Sequence, residues 1–390
     1  MRLKQVDIIE SPLSKGHARL VGTVHFADHA RNPEDIWFDV PDGLSGALSR
    51  TGNPWLASLL PWAVTLGEPL ELALPVDPLL YEGALALMQV WEAWYPGERE
   101  VIALHCDMLT PGAIDSGDRV GAFFSGGVDS FHTVLRHEPL GGAILPMHID
   151  DLITVWGLDV PLGNPGAFAR VRENSEHVAG ALGKRAVIMA TNLRESGWNA
   201  TNWGLMGQGP ALTSLALALE GRFRRVMLPS SLSYSSIRVW GTHPLVDPLL
   251  STTRLDIRDD GAHDNRRAKI AAIADSELAM GHLRVCWMAQ SDRNCGKCEK
   301  CLRTLTAFEL MGKRDRCVTF PADAWSLEAL ATLRYRNELD RRYMSRLAEH
   351  AHAQGRQDIA RAIGKAVTRY DFRVASVRWA RRLGFRRGSR

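Results

Sequence analysis

The chain has 390 residues, 45% of them hydrophobic and 23% charged, with a formal net charge of +3. This composition excludes a low-complexity or fibrous polymer, and the charge is too small to imply a polyanionic partner by itself. The length suffices for two domains and a small third.

Residues 1–118 read as an α+β domain of their own. Alternation at 18–27, 36–40 and 70–74 predicts strands, 79–94 an amphipathic helix and 101–105 a further strand. The N-terminus leads into no signal-peptide core. No apolar run reaches a membrane span, since residues 55–64 are interrupted by Pro61, so a cytoplasmic protein without membrane contact is expected. No motif in this region carries chemistry. A structural cap, substrate recruitment or a subunit contact, as in a homodimer, are its expected roles. Polar residues 111–118 are the expected linker.

From Val120 the pattern becomes strand–helix alternation, which predicts an α/β fold with a doubly wound parallel sheet over 119–320. Val120 to Phe124 is an apolar run suited to a buried strand. Ser125-Gly126-Gly127 removes side-chain bulk where the chain must turn, and glycine tolerates positive φ. Asp129 and Ser130 open a helix whose apolar stripe is Phe131, Val134 and Leu135. Strand, glycine turn and helix N-terminus together make an anion site, because free N–H groups and the helix dipole both favour negative charge.

Further along, 142–149 reads as a second strand followed by Asp150 and Asp151, 168–182 as a helix and 186–190 as a third strand. A helix at 210–219 and a fourth strand at 225–228 follow, the latter opening into Pro229-Ser230-Ser231. Ligands of such sheets sit outside the strands' carboxyl ends, a rule that gathers the 125–130 turn, Asp150, Thr191-Asn192 and Ser230-Ser231 around one crevice.

Ser125-Gly126-Gly127-Val128-Asp129-Ser130 resembles the SGGxDS pyrophosphate loop of the PP-loop ATP pyrophosphatases, the adenine nucleotide alpha hydrolase-like proteins. The resemblance implies that ATP, with Mg²⁺, is cleaved between its α- and β-phosphates. AMP would be attached to a carbonyl oxygen of an acceptor, a carboxylate or an amide.

Four of the six cysteines fall in sixteen positions as Cys286-x8-Cys295-x2-Cys298-x2-Cys301. Two-residue spacers let successive thiolates converge on one ion, and four thiolates suit a closed structural Zn²⁺ site. Lys297, Lys300 and Arg303 are placed to offset its negative charge. An iron–sulfur cluster or a persulfide-carrying catalytic cysteine would use the same residue type.

The loop and the cysteine array together are similar to the 7-cyano-7-deazaguanine synthase family over about residues 119–312. The resemblance implies that Ser125, Gly126, Gly127, Asp129 and Ser130 bind pyrophosphate and that the four cysteines bind zinc. It implies an amide-forming ligase in which a nitrogen nucleophile displaces AMP. The family's Tyr-Gly-Gln stretch after the second strand is replaced here by Asp150-Asp151-Leu152-Ile153. The large N-terminal region and the basic tail are also departures, so a different acceptor is expected.

Between the fourth strand and the cysteines, Arg267 or Lys269 is the candidate to neutralise departing pyrophosphate, and His243 a candidate substrate ligand or base. Trp156, Trp198, Trp203, Trp240 and Trp287 offer faces for a planar ligand or for the core. From Thr332 onward sixteen Arg or Lys face five Asp or Glu, a basic helical region (321–390) with aromatics that could grip RNA. Two further functions therefore stand beside the ligase: tRNA sulfur transfer on the same fold, and nucleotide binding without turnover.

Overall fold

The computed structural model describes residues 1–110, 117–139, 141–286 and 293–382. Most of the expected linker, Trp287 and the arginines at 386, 387 and 390 lie outside the described residues. Two compact units, Met1–Lys269 and Ile270–Arg390, make up the chain.

The first unit is built on one ten-stranded sheet. Its strands are β1 (Arg2–Glu10), β2 (His17–His25), β3 (Glu34–Pro41), β4 (Leu70–Val76), β5 (Leu104–Met108), β6 (Arg119–Phe123), β7 (Asp151–Trp156), β8 (Arg185–Thr191), β9 (Phe223–Pro229) and β10 (Asp256–Asp260). Their order is β10-β9-β6-β7-β8-β3-β2-β1-β4-β5. From β10 to β8 every neighbouring pair is parallel. Within this half the chain starts at the central β6, steps outward through β7 and β8, then returns to β9 and β10. The switch point between β6 and β9 is where such sheets open a ligand crevice.

The N-terminal strands continue the same sheet. β3 pairs antiparallel with β8 through Phe38↔Thr191 and Asp39↔Ala190. Asn192 strengthens the seam, its side chain accepting from the Trp37 amide at 3.1 Å and donating to the Asp35 carbonyl at 2.7 Å.

Helices α1 (Asn53–Leu66) and α2 (Pro78–Trp94) belong to the N-terminal region; α3 (Val128–Arg136), α4 (Pro165–Ala181) and α5 (Gln208–Ala218) follow. Twelve of the fourteen α1 residues are buried. A helix apolar all round needs neighbours on every side, and α1 packs on α5. The polar groups below it are satisfied by one carboxylate: Glu220 accepts from Ser49, from Thr51 at 2.9 Å and from Asn53 at 2.8 Å.

The second strand lies later than its apolar run suggests. Residues 142–149 are not a strand, and Ile144 and Leu145 are almost fully exposed. β7 begins instead at Asp151, whose buried carboxylate is held by Arg119 at 3.0 Å and Arg222 at 2.5 Å. Two arginines from distant segments make an acid tolerable inside a strand. β10 is an edge strand of mostly charged residues and carries no local apolar signal.

Helix α6 (Arg266–Ile273) spans the boundary between the units. The second unit continues with α7 (Glu277–His282), α8 (Glu299–Leu310), α9 (Leu327–Thr332), α10 (Glu338–Ala353) and α11 (Gln357–Arg382). Leu302, Leu330, Met344, Leu347, Ile359 and Ile363 form its core. No helix among the described residues is long and apolar enough to cross a membrane.

Candidate functional site

The turn at 125–130 stands at the carboxyl end of β6, beside the switch point. Gly126 has φ +73°, the left-handed region that favours glycine, and Gly127 precedes α3 in extended backbone. Among the described residues no side chain caps the first turn of α3 at Gly127, an arrangement that could accept an external anion. Ser125 accepts from the Gly127 amide at 3.3 Å, and the buried Ser130 hydroxyl donates to the Gly127 carbonyl at 3.0 Å. Both serines brace the turn.

Cations from α6 converge on Asp129. Lys269 is 2% exposed; its ammonium lies 3.5 Å from the Asp129 carboxylate and donates to the Ser230 carbonyl. Ser230 is buried, its amide bonded to the Asp260 carbonyl at 2.8 Å. Of the two basic candidates on α6, Lys269 is the one brought to the loop. Arg267 is exposed, and Arg266, three residues from Lys269 on the same helical face, reaches Asp129 at 2.6 Å instead.

Asp150 is corrected. It precedes β7 rather than following a strand, so it sits at the amino end of the parallel sheet, opposite the 125–130 turn. There its side chain accepts from the Val120 amide at 2.7 Å. Asn192 lies at the carboxyl end of β8 as expected, with its amide engaged by the N-terminal strand.

Residues that the sequence did not single out complete the charge pattern. Asp259, near the end of β10, has its pKa pushed up to about 7: burial and repulsion from Asp260 and Asp129 outweigh the Ser230 hydroxyl and Lys269. Its Oδ1 has no hydrogen-bond partner among the described residues. A carboxyl that titrates near neutrality beside a lysine can exchange protons with a substrate. His132 on α3 is held below its usual pKa by burial and by Lys269, and bonds Asp264 at 3.0 Å. Asp260 is the opposite case: despite burial, the His137 hydrogen bond and Arg136 keep it below the usual carboxylate range. The spacing Asp259-Asp260 followed by Arg266 and Lys269 was the available signal.

His243 is buried, which holds its pKa below the usual value, and it accepts from the Leu245 amide at 3.2 Å. Its neighbour Asp247 is wholly buried, accepts from the His243 amide at 2.9 Å, and is raised well above the carboxylate range by burial and by Asp259. Trp198 is core and bonds the Ser58 carbonyl at 2.6 Å, and Trp156 stacks on Phe168 at 5.1 Å. Trp203 and Trp240 remain half-exposed.

In the second unit the four cysteines come together. Their sulfurs all lie within 4.8 Å of one another, with Cys286–Cys298 at 3.9 Å, Cys295–Cys301 at 3.8 Å and Cys298–Cys301 at 3.4 Å. Thiolates bound tetrahedrally at ~2.3 Å to one Zn²⁺ stand about 3.8 Å apart, so this donor set fits a single ion. Gly296, at φ +71°, makes the turn that lets the Lys297 and Cys298 amides donate to the Cys295 sulfur at 3.4 and 3.3 Å. Hydrogen bonding to Cys286, with burial, holds the Cys298 thiol up at about 12, and a cation would reverse that preference. On α11, Tyr370 packs against Tyr335, whereas Phe372 and Trp379 are exposed.

Comparison with protein-family models, with curated proteins and with solved structures found no match to this chain.

Proposed function

We propose that this chain is an AMP-forming ligase that binds ATP and Mg²⁺ at residues 125–130 and adenylates an acceptor carboxylate or amide. The observation that carries this reading is the uncapped N-terminus of α3 at the β6–β9 switch point, with buried Lys269 beside it. The α3 amides would hold the departing phosphates, with Lys269 and Arg266 offsetting their charge; Mg²⁺ would neutralise the remainder. An acceptor oxygen bonds to the α-phosphorus as the bond to the β-phosphate oxygen breaks, and pyrophosphate leaves with the electron pair. A nitrogen nucleophile then bonds to the activated carbon, AMP leaves, and a proton is lost from nitrogen. Asp259, titrating near 7, is the group to receive it.

Zinc at Cys286, Cys295, Cys298 and Cys301 would be structural, its four positions filled by protein. Sulfur transfer is the weaker reading. It needs an accessible low-pKa thiol, and outside the cluster burial holds Cys106 up at about 11 and raises Cys317. RNA gripped by the tail has the basic excess and the exposed Phe372 and Trp379 in its favour.

The test is product analysis with ATP, Mg²⁺, ammonia and a carboxylate panel. AMP and pyrophosphate in equal amounts are expected; ADP and phosphate would overturn the reading. ATP bound tightly and recovered intact would favour a non-catalytic nucleotide-binding role.

A further inference from the structure

The N-terminal region reaches the loops beyond the phosphate turn. The last turn of α2 and the residues after it touch both segments that leave the carboxyl ends of β8 and β9. The Trp94 ring packs on His243 with centroids 5.0 Å apart, the Tyr95 hydroxyl donates to the Leu205 carbonyl at 3.0 Å, and Arg99 contacts the Met206 sulfur at 3.3 Å. The two segments are themselves sewn together: Gly241 donates to the Gly204 carbonyl at 2.9 Å and accepts from the Gly209 amide at 2.6 Å. A side chain at Gly241 would stand 2.3 Å from the Trp203 carbonyl, so the approach requires glycine.

Strain marks the same place. Asn202 has φ +57°, the one non-glycine residue at positive φ among the described residues. Its carbonyl accepts from the amides of Leu205, Met206 and Gly207 at 3.1, 3.0 and 3.3 Å, closing a π-helical turn. Strained backbone and π-turns concentrate at functional sites.

The surface so fixed is aromatic, apolar and cationic. Trp203 and Trp240 are half-exposed, with the guanidiniums of Arg194 and Arg238 over their rings at 4.9 and 5.3 Å. Leu205, Tyr234, Ile237 and Leu245, carried by the same segments, are 39–63% exposed. Exposed apolar side chains on the segments that also carry half-buried Trp and Arg have the make-up of a protein-binding hot spot. Ser231 and Thr242 hydroxyls 3.4 Å apart connect this surface to Ser230, and through it to Lys269.

We propose that this surface receives the acceptor, that the acceptor is a polypeptide segment with apolar or aromatic side chains beside a carboxylate, and that the N-terminal region selects it through Trp94. Exposed side chains on both segments suit a chain laid across them, and the arginines complement the carboxylate. The word acceptor rests on the ATP reading; the peptide site does not.

The experiment is selection from a random dodecapeptide library displayed with free carboxyl termini, on wild-type protein and on Trp94→Ala and Trp240→Ala. Wild type should enrich acidic, apolar sequences, and resynthesised hits should bind at least tenfold more weakly to both variants. Trp94→Phe should restore binding, and ATP affinity should be unchanged throughout. No enrichment, enrichment without apolar and acidic residues, or equal binding to the variants overturns the proposal. So does Trp-dependent binding of indole-3-carboxylate when the library yields nothing. Arg266→Gln separates the two readings: it removes a cation assigned to the phosphates, so it should weaken ATP binding and leave peptide binding intact.

Discussion

Lys269 and Asp129 form a half-buried ion pair across the candidate phosphate site, Nζ to carboxylate 3.5 Å, with the lysine almost fully enclosed and the carboxylate reachable from solvent. A buried ammonium beside an open helix N-terminus is positive charge stored where a polyanion would land. Replacing Lys269 by Met should lower kcat/KM for pyrophosphate release by about 10² or more. It also leaves the Ser230 carbonyl without its donor, costing about 1–3 kcal/mol in urea unfolding. A variant with wild-type turnover would remove Lys269 from the chemistry.

Asp259 predicts a pH-dependent stability difference. Its folded pKa of about 7 lies above the ordinary carboxylate value, so the folded state binds the proton more tightly than the unfolded one. Any stability tied to that proton is complete at low pH and is lost as pH rises through the window from about 4 to 7. Asp259→Asn removes this loss. Its Tm advantage over wild type should therefore be absent near pH 4 and grow by several degrees, roughly 2–4 °C per kcal/mol, by pH 8. Asp247, raised partly by the Asp259 charge, will share in the slope. A difference that stays flat with pH would contradict the assignment.

The strand–glycine–helix unit was legible because its signals are local: an apolar run, two adjacent glycines and an amphipathic stripe within seventeen residues. What was missed depends on partners far along the chain. The run at 142–149 looks more strand-like than Asp151-Leu152-Ile153-Thr154, and Arg119 and Arg222 make Asp151 tolerable as a strand residue. That slip carried Asp150 to the wrong end of the sheet. Arg266 and Arg267 differ only by their angle on α6, which needs a helix register that the sequence does not fix. The union of N-terminal and parallel strands rests on two residue pairs between β3 and β8 and on Asn192, a residue placed in the crevice for other reasons.

Asn294 should set metal affinity without being a ligand. Its carbonyl oxygen accepts from the Val285 and Cys286 amides at 2.8 and 3.2 Å, and its amide donates to the Leu283 carbonyl at 2.8 Å and the Thr319 hydroxyl at 3.1 Å. It thus fixes the backbone that carries the distant fourth cysteine. Elemental analysis should find one zinc per chain, without iron or labile sulfide. Asn294→Ala should bind zinc 10–100-fold more weakly in competition with a chromophoric chelator, while Cys286→Ser should weaken it further. Unchanged affinity in Asn294→Ala would make the residue a loop staple only.

Gly83 tests how firmly the N-terminal region is built into the first unit. It lies in α2 against the chain at Leu249, and a methyl group on it would stand 1.7 Å from the Leu249 carbonyl oxygen and 2.8 Å from its carbon. Backbone cannot step aside as a flexible side chain can, so α2 or the 247–250 turn must shift. Gly83→Ala should cost on the order of 3 kcal/mol or more despite the higher helix propensity of alanine. Gly180→Ala in α4, where no described residue lies within 4 Å of the added methyl, is the control and should gain about 0.5–1 kcal/mol. Because α2 also carries Trp94, the Gly83 variant should alter the near-ultraviolet circular dichroism of its tryptophans. A Gly83→Ala protein as stable as the control would mean that α2 is free to move off the loops it touches.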